Sequence, residues 1–144
     1  MAAFAVETDV RKRFQLEDAS VVSSDLVLAS IADAHTEVLA RLAPTVDTET
    51  PPERLVLGEV LLAGAHVLTS MASKDAAEQK DLSLGGQRIR AGDRFASLLA
   101  LASKAEARAW WTLGPYLTPP PGEMAGGATD SVAVLGTDGQ RGEA

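Results

Sequence analysis

Apolar residues recur at intervals of three and four positions along three long stretches of the chain, residues 24–43, 51–73 and 93–113. In the first and last stretches this spacing collects apolar side chains on one side of an α-helix, and the middle stretch is apolar nearly all round after a strong helix start at residues 50–53, so each stretch predicts a helix. Pro44 ends the first predicted helix, and Gly114 with Pro115 ends the last. The pattern predicts a mostly α-helical protein, a small bundle of three to four helices.

A shorter helix is predicted ahead of these three, at residues 8–14. Thr8 or Asp9 can cap it, because either side-chain oxygen can accept a hydrogen bond from a free backbone N–H. The helix is too short to be stable alone. Val10 and Phe14, four positions apart, are therefore predicted to anchor it to the bundle.

The helix at residues 24–43 has a predicted cap at Ser23 or Ser24 and two contrasting sides. One side is predicted to face the core and consists of Leu28, Ile31, His35, Val38 and Leu42. The other is predicted to face solvent and includes Ser30, Asp33, Glu37 and Arg41.

The helix at residues 51–73 is apolar on nearly all sides, which predicts a position in the middle of the bundle. Thr50 is its predicted cap, with Glu53 completing a capping box. Gly58 and Gly64 each weaken a helix by about 1 kcal/mol relative to alanine. We expect close approach of neighbouring helices at both glycines to compensate.

Two short alternating segments around Gly85 and Gly86 predict a β-hairpin between the second and third long helices. Leu82 and Leu84 lie before the glycine pair and Ile89 lies after it. A two-residue turn would place Leu82 opposite Ile89. An isolated hairpin is marginally stable in water, so this one is expected to need a partner surface.

The composition changes at residue 118, which divides the chain into a helical body, residues 1–117, and a C-terminal tail, residues 118–144. The tail contains three consecutive prolines and six of the 12 glycines, and it is expected to be flexible and to order on binding. Within it, Ser131, Val132, Ala133, Val134 and Leu135 form a β-prone patch. Such a patch can add as a strand to the edge of another protein's sheet.

Composition and charge narrow the function classes. Hydrophobic residues make up 46 % of the chain and aromatic residues only 4 %, which predicts an aliphatic core. The absence of cysteine excludes disulfides and thiolate metal sites. The net charge of −7 disfavours tight binding to nucleic acid but suits a wall that DNA slides past.

The chain is expected to be made in the cytoplasm and to have no membrane association. Its first residues lack the basic start and long apolar stretch of a signal peptide. Its longest apolar run, residues 55–71, is interrupted by Glu59 and His66 and falls short of the about 20 apolar residues of a membrane span.

The sequence predicts neither an enzyme nor a cofactor site. It has no Gly-x-Ser-x-Gly elbow, no phosphate loop and no His-Glu-x-x-His motif. His35 is predicted to be a core or subunit-contact residue, and His66 shares a polar strip with Glu59 and Ser70. A metal-dependent enzyme using His35, His66 and Glu59 remains the third hypothesis, and it requires these side chains to converge.

Trp110 and Trp111 are adjacent near the end of the last predicted helix. Neighbouring residues lie about 100° apart around a helix, so both side chains cannot easily face one core. One exposed tryptophan would be a candidate protein-contact anchor. The alternative is that both cap the end of the bundle.

The order of these elements resembles the head-tail adaptor proteins, also called head-completion or connector proteins, of long-tailed bacteriophages and gene transfer agents. The resemblance lies in the short helix at residues 9–14, the helices at residues 24–42 and 54–73, the glycine-containing excursion at residues 82–92, and the final helix with its tail. It covers nearly the whole chain and is a pattern of elements without a specific motif.

The resemblance implies a virion protein at the head-tail interface that assembles as a homo-oligomeric ring, a dodecamer, beneath the portal protein. The ring extends the DNA channel without sequence-specific binding and offers a surface to the stopper or tail-completion protein. The tail patch, residues 131–135, would contact the portal. The hairpin around Gly85 and Gly86 would lie at a subunit or tail-side interface. The alternative from another class is a helical partner-binding or regulatory module of a bacterial cell, anchored by Trp110 or Trp111.

Overall fold

The computed structural model describes residues 2–78, 83–84, 87–88 and 91–119. The helices are α1 (Glu7–Phe14), α2 (Ser24–Arg41), α3 (Glu53–Ala77) and α4 (Ala91–Leu113), followed by a 3-10 turn, Gly114–Tyr116. Two-residue strands, β1 (Ser83–Leu84) and β2 (Gln87–Arg88), pair antiparallel between α3 and α4. The prediction of a mostly α-helical bundle is confirmed.

The central position predicted for α3 is confirmed. This helix contacts α1, α2 and α4, and its buried residues lie on every side of its axis. Among the described helices, only α3 is long and apolar enough to cross a membrane, but 67 % of its most apolar stretch is buried inside the protein. That burial is what the core helix of a bundle shows.

Close approach at the two glycines of α3 is also confirmed. A Cβ atom added at Gly64 would lie 1.9 Å from Cε2 of Phe14, and one added at Gly58 would lie 2.5 Å from Cδ2 of Leu113. The Phe14 ring of α1 and the Leu113 side chain of α4 therefore occupy the space that a larger residue would need. Val10, the other predicted anchor of α1, is fully buried.

The core-facing side of α2 differs in part from the prediction. Ile31, His35 and Val38 are buried as expected, but Leu28 is 52 % exposed and Ser30 is only 3 % exposed. The buried side instead includes Val27 and Ala34. The two stripes share the same helical spacing, and the small Ser30 and Ala34 side chains let α2 lie closer to its neighbours.

The caps of α1 and α3 were predicted wrongly. Helix α1 begins at Glu7 after Val6, with no side-chain cap, and α3 begins at Glu53 after Pro52, also without one. The Thr50 hydroxyl donates to Asp47 instead, which also accepts from the backbone N–H groups of Glu49 and Thr50. These hydrogen bonds hold the pKa of Asp47 below its ordinary value. The loop therefore uses Asp47 to form a turn, and Thr50 is no longer available to the helix.

The cap of α2 was predicted correctly, because the Ser23 hydroxyl accepts a hydrogen bond from the Leu26 N–H at 3.2 Å. We expect Ser23→Ala to lower the free energy of unfolding by about 1 kcal/mol, since that N–H loses its protein partner. Urea denaturation measures the change. Ser103→Ala, on the exposed surface of α4, is the matched control and should cause no loss. Equal effects of the two substitutions would contradict the capping role.

Several predicted elements lie outside the described residues. They include the Gly85–Gly86 turn and the Leu82–Ile89 pair of the hairpin. In the two described strands Ser83 pairs with Arg88 and Leu84 with Gln87, and a Leu82–Ile89 pair would continue this register. The hairpin stays a prediction, as does the expected flexibility of the tail, of which only residues 118 and 119 are described. Helix α4 begins at Ala91, two residues before its predicted start, and ends at Leu113 as predicted.

Candidate interaction surface

The end of α4 places one tryptophan against the core and the other in solvent. Trp110 is half-buried and packs against the hydrophobic core, whereas Trp111 is 74 % exposed. This outcome confirms the expectation that two adjacent helical positions cannot both face the core. Trp111 has the highest exposure among the large apolar side chains of the described residues, which marks it as a candidate contact point.

An arginine from another helix lies against one face of each tryptophan ring. The Arg41 guanidinium at the end of α2 lies 4.5 Å from the centroid of the Trp110 ring system. The Arg54 guanidinium at the start of α3 lies 5.1 Å from that of Trp111. Arg54 Nε also donates to the Thr112 carbonyl at 3.2 Å. Cation–π contacts at exposed sites contribute about 0.5–1 kcal/mol each, so each arginine favours one orientation of the ring that it lies against.

The C-terminal segment leaves the bundle at this same end. Leu117 pairs with Leu42 as an antiparallel bridge just beyond α2. The Ala43 N–H donates to the Tyr116 carbonyl at 2.9 Å, and the Thr118 N–H donates to the Arg41 carbonyl at 2.8 Å. We call Arg41, Arg54, Trp110 and Trp111 the tryptophan surface. The tail therefore begins beside the tryptophan surface, because residues 116–118 are fastened to the end of α2.

A buried polar cluster fastens the N-terminal segment to α2 and α3. Oε1 of Glu59 accepts from the backbone N–H groups of Phe4 and Ala5 at 2.8 and 2.9 Å. Its Oε2 forms a hydrogen bond with Nδ1 of His35 over a distance of 2.9 Å. The Phe4 ring meets the His35 imidazole edge-on, with centroids 4.8 Å apart. All three hydrogen bonds serve to position the N-terminal segment.

The histidines do not form a metal site in the described part of the chain. Glu59 is fully buried with His35, so it does not share the predicted polar strip with His66. His66 Nε2 instead lies 2.8 Å from Oε1 of Glu37 at the surface. The geometry of this contact does not meet that of a hydrogen bond. No group of three or more His, Cys, Asp or Glu side chains converges among the described residues. The convergence that the metal-enzyme hypothesis requires is therefore not found there.

The remaining predicted site residues lie beyond what the structure describes. Ser131, Val132, Ala133, Val134 and Leu135 of the tail are outside it, as are Leu82, Gly85, Gly86 and Ile89 of the hairpin. Leu84 is described as part of β1 but without its side-chain surroundings. The structure thus bears on two of the predicted contact residues, Trp110 and Trp111.

Sequence reasoning missed the partners that hold these side chains. Arg41 and Arg54 carried no signal for the tryptophans, because they lie on helices remote from α4 in sequence. The sequence did contain a signal for Glu59, because it is the single charged residue between Leu55 and Ser73. A carboxylate on a helix that is apolar on all sides must have buried hydrogen-bond donors.

Comparisons with protein-family models, curated proteins and solved structures found no match to this chain.

Proposed function

We propose that this chain is a structural head-tail adaptor of a tailed phage or phage-like particle. Copies of it would form a ring under the portal protein, extend the DNA channel and link the head to the stopper or tail. The helical bundle, the net charge of −7 and the resemblance in element order support this proposal. An acidic ring would let DNA pass without binding it tightly.

The observation that carries the proposal is the exposure of Trp111 beside Arg54. A tryptophan that is 74 % exposed loses a large area of apolar contact with water when a partner covers it. Arg54 limits the orientations of the ring before binding, so less conformational entropy is lost on association. The tail begins beside this surface, so one end of the body can offer both contacts to a portal.

We expect Trp111→Ala to weaken binding to the portal protein of the same genome by about 30-fold or more, the loss typical of a central aromatic anchor. Sedimentation or native mass spectrometry of the full chain with purified portal measures the loss. Trp111→Tyr is the matched control, because it keeps an aromatic ring beside Arg54 and should retain most of the binding. Portal binding by Trp111→Ala at the unaltered affinity would contradict the proposed use of this surface.

A helical partner-binding module is the second candidate, and the exposure of Trp111 favours it as well. The stoichiometry of the complex distinguishes the two functions. An adaptor forms a ring of many copies on the portal, whereas a regulatory module binds one soluble partner and forms no ring. The genes on either side provide a further test: portal, capsid and tail genes support the adaptor, and metabolic or regulatory genes support the module.

A further inference from the structure

A groove with an apolar floor runs between the end of α1 and the adjoining sides of α3 and α4. Its floor consists of Phe14, Leu61, Leu68 and Leu101, and its volume is about 420 Å³. Leu61 and Leu68 are nearly covered by their neighbours, but Leu101 is 55 % exposed beside them. An apolar floor with a large exposed leucine is suited to covering by another apolar segment.

The rim of this groove is basic although the chain as a whole is acidic. Arg13 at the end of α1 and Lys104 and Arg108 on α4 line it, and all three are exposed. Lys104 and Arg108 lie one helical turn apart and on the same side of α4 as Leu101. Among the described residues, none of the three forms a salt bridge. We call the floor and rim together the basic groove; its charge complements a segment with an apolar centre and acidic ends.

The tail of this chain contains such a segment. In residues 130–138, Asp130 and Asp138 flank an apolar centre that includes Val132, Val134 and Leu135. Asp130 lies eleven positions after Pro119, and eleven steps of extended chain can span up to about 36–40 Å. Helix α4 rises about 18 Å from Leu101 to Leu113, which lies five residues before the start of the tail. The segment can therefore reach the basic groove of its own body.

We propose that, in the chain without a bound partner, residues 130–138 dock in the basic groove of the same molecule. The apolar centre covers Leu101 and the floor, while the two aspartates approach the basic rim. Docking within one molecule is favoured over docking onto a second copy because a tethered segment has an effective concentration in the millimolar range. Docking also shields a β-prone apolar segment from association between chains. This inference does not depend on the adaptor role.

Cysteine crosslinking tests the docking directly, because the natural chain contains no cysteine. Ala105→Cys lies in the groove lining, and we pair it with Val134→Cys in the full chain. The matched control pairs Ser103→Cys with the same Val134→Cys. Positions 103 and 105 have nearly equal tether lengths but lie about 200° apart around α4. Leu101→Cys with Val134→Cys is a second groove pair, should Ala105→Cys disturb folding, which circular dichroism checks.

We expect the groove pair to form an intramolecular disulfide about tenfold faster than the control pair under mild oxidation. The product is a monomer that migrates faster on a non-reducing gel. About 1 M NaCl, or the double substitution Lys104→Glu with Arg108→Glu, should remove most of this difference, because both weaken the charge contacts. Equal rates for the groove and control pairs would overturn the proposal. Covalent dimers as the main product of the groove pair would also overturn it, in favour of docking onto a second copy.

Discussion

Replacement of Glu59 by alanine is expected to lower the free energy of unfolding by about 3 kcal/mol or more, because three hydrogen bonds lose the carboxyl group that they share. The substitution leaves the backbone N–H groups of Phe4 and Ala5 without their acceptor and His35 Nδ1 without its hydrogen-bond partner. Each buried donor that loses its partner costs about 1–3 kcal/mol. Chemical denaturation of the wild type and the variant measures the difference.

Glu37→Ala is the matched control, because Glu37 is the partner of the other histidine. Its side chain is 44 % exposed, whereas that of Glu59 is fully buried, so we expect a loss of only about 0–1 kcal/mol. Glu59→Gln should lie between the two alanine variants, since its amide oxygen can still accept from the backbone. A loss for Glu59→Ala as small as that for Glu37→Ala would refute the positioning role of the buried carboxylate.

Hydrogen exchange gives a second measurement that is specific to the N-terminal segment. The Phe4 and Ala5 amides should exchange faster in Glu59→Gln than in the wild type, because a neutral acceptor binds an N–H less strongly than a carboxylate. Amides in the middle of α4 provide the internal reference. Faster exchange confined to Phe4 and Ala5 separates the anchoring of this segment from a general loss of stability.

Gly64→Ala is expected to lower the free energy of unfolding by about 1–3 kcal/mol, the usual range for an overpacked core. The added methyl group would lie 1.9 Å from Cε2 of the Phe14 ring, so α1 or the ring must move. In a helix without such a neighbour, the same substitution would stabilise the protein by about 1 kcal/mol. The sign of the effect therefore depends on tertiary packing, and thermal or urea denaturation determines it.

Gly114→Ala is the control for this prediction, because a Cβ at that position meets no atom within 4 Å outside its two chain neighbours. Its effect should stay within about 0.5 kcal/mol. Phe14→Leu should cost less in the Gly64→Ala background than in the wild type, with a coupling energy of about 0.5–3 kcal/mol. Additive effects of the two substitutions would show that Phe14 is not the side chain that Gly64 accommodates.

The three long helices and the central place of α3 could be predicted from the sequence, because burial of apolar stripes is a property of local spacing. The capping of α2 by Ser23 could also be predicted, because it is a local contact: its partner, Leu26, is only three residues away. The caps of α1 and α3 could not be predicted in this way, because α1 begins at Glu7, before Thr8 and Asp9, and Thr50 bonds to Asp47 instead. Thr50 has Asp47 within hydrogen-bonding reach, and a pattern of residue types does not rank two local hydrogen bonds.

The contact surface was predictable in part. Adjacent tryptophans on one helix predict that one is exposed, but the exposure of Trp111 in particular depends on which side of α4 packs against α3. The arginines that cover the two rings come from the end of α2 and the start of α3. Contacts between residues far apart in the chain depend on how the helices cross, and helical spacing does not specify this crossing.

The sequence by itself determined the helical class, the order of the helices and the position of the apolar stretch that becomes the core, because these depend on the spacing of residue types along the chain. Only the tertiary structure decided that Glu59 is buried with His35, that Gly64 lies under Phe14, and that the tail begins beside Trp111. Each of these juxtapositions joins elements that are distant in sequence. The packing of whole helices selects them, because only one arrangement satisfies the apolar surfaces and the buried polar groups together.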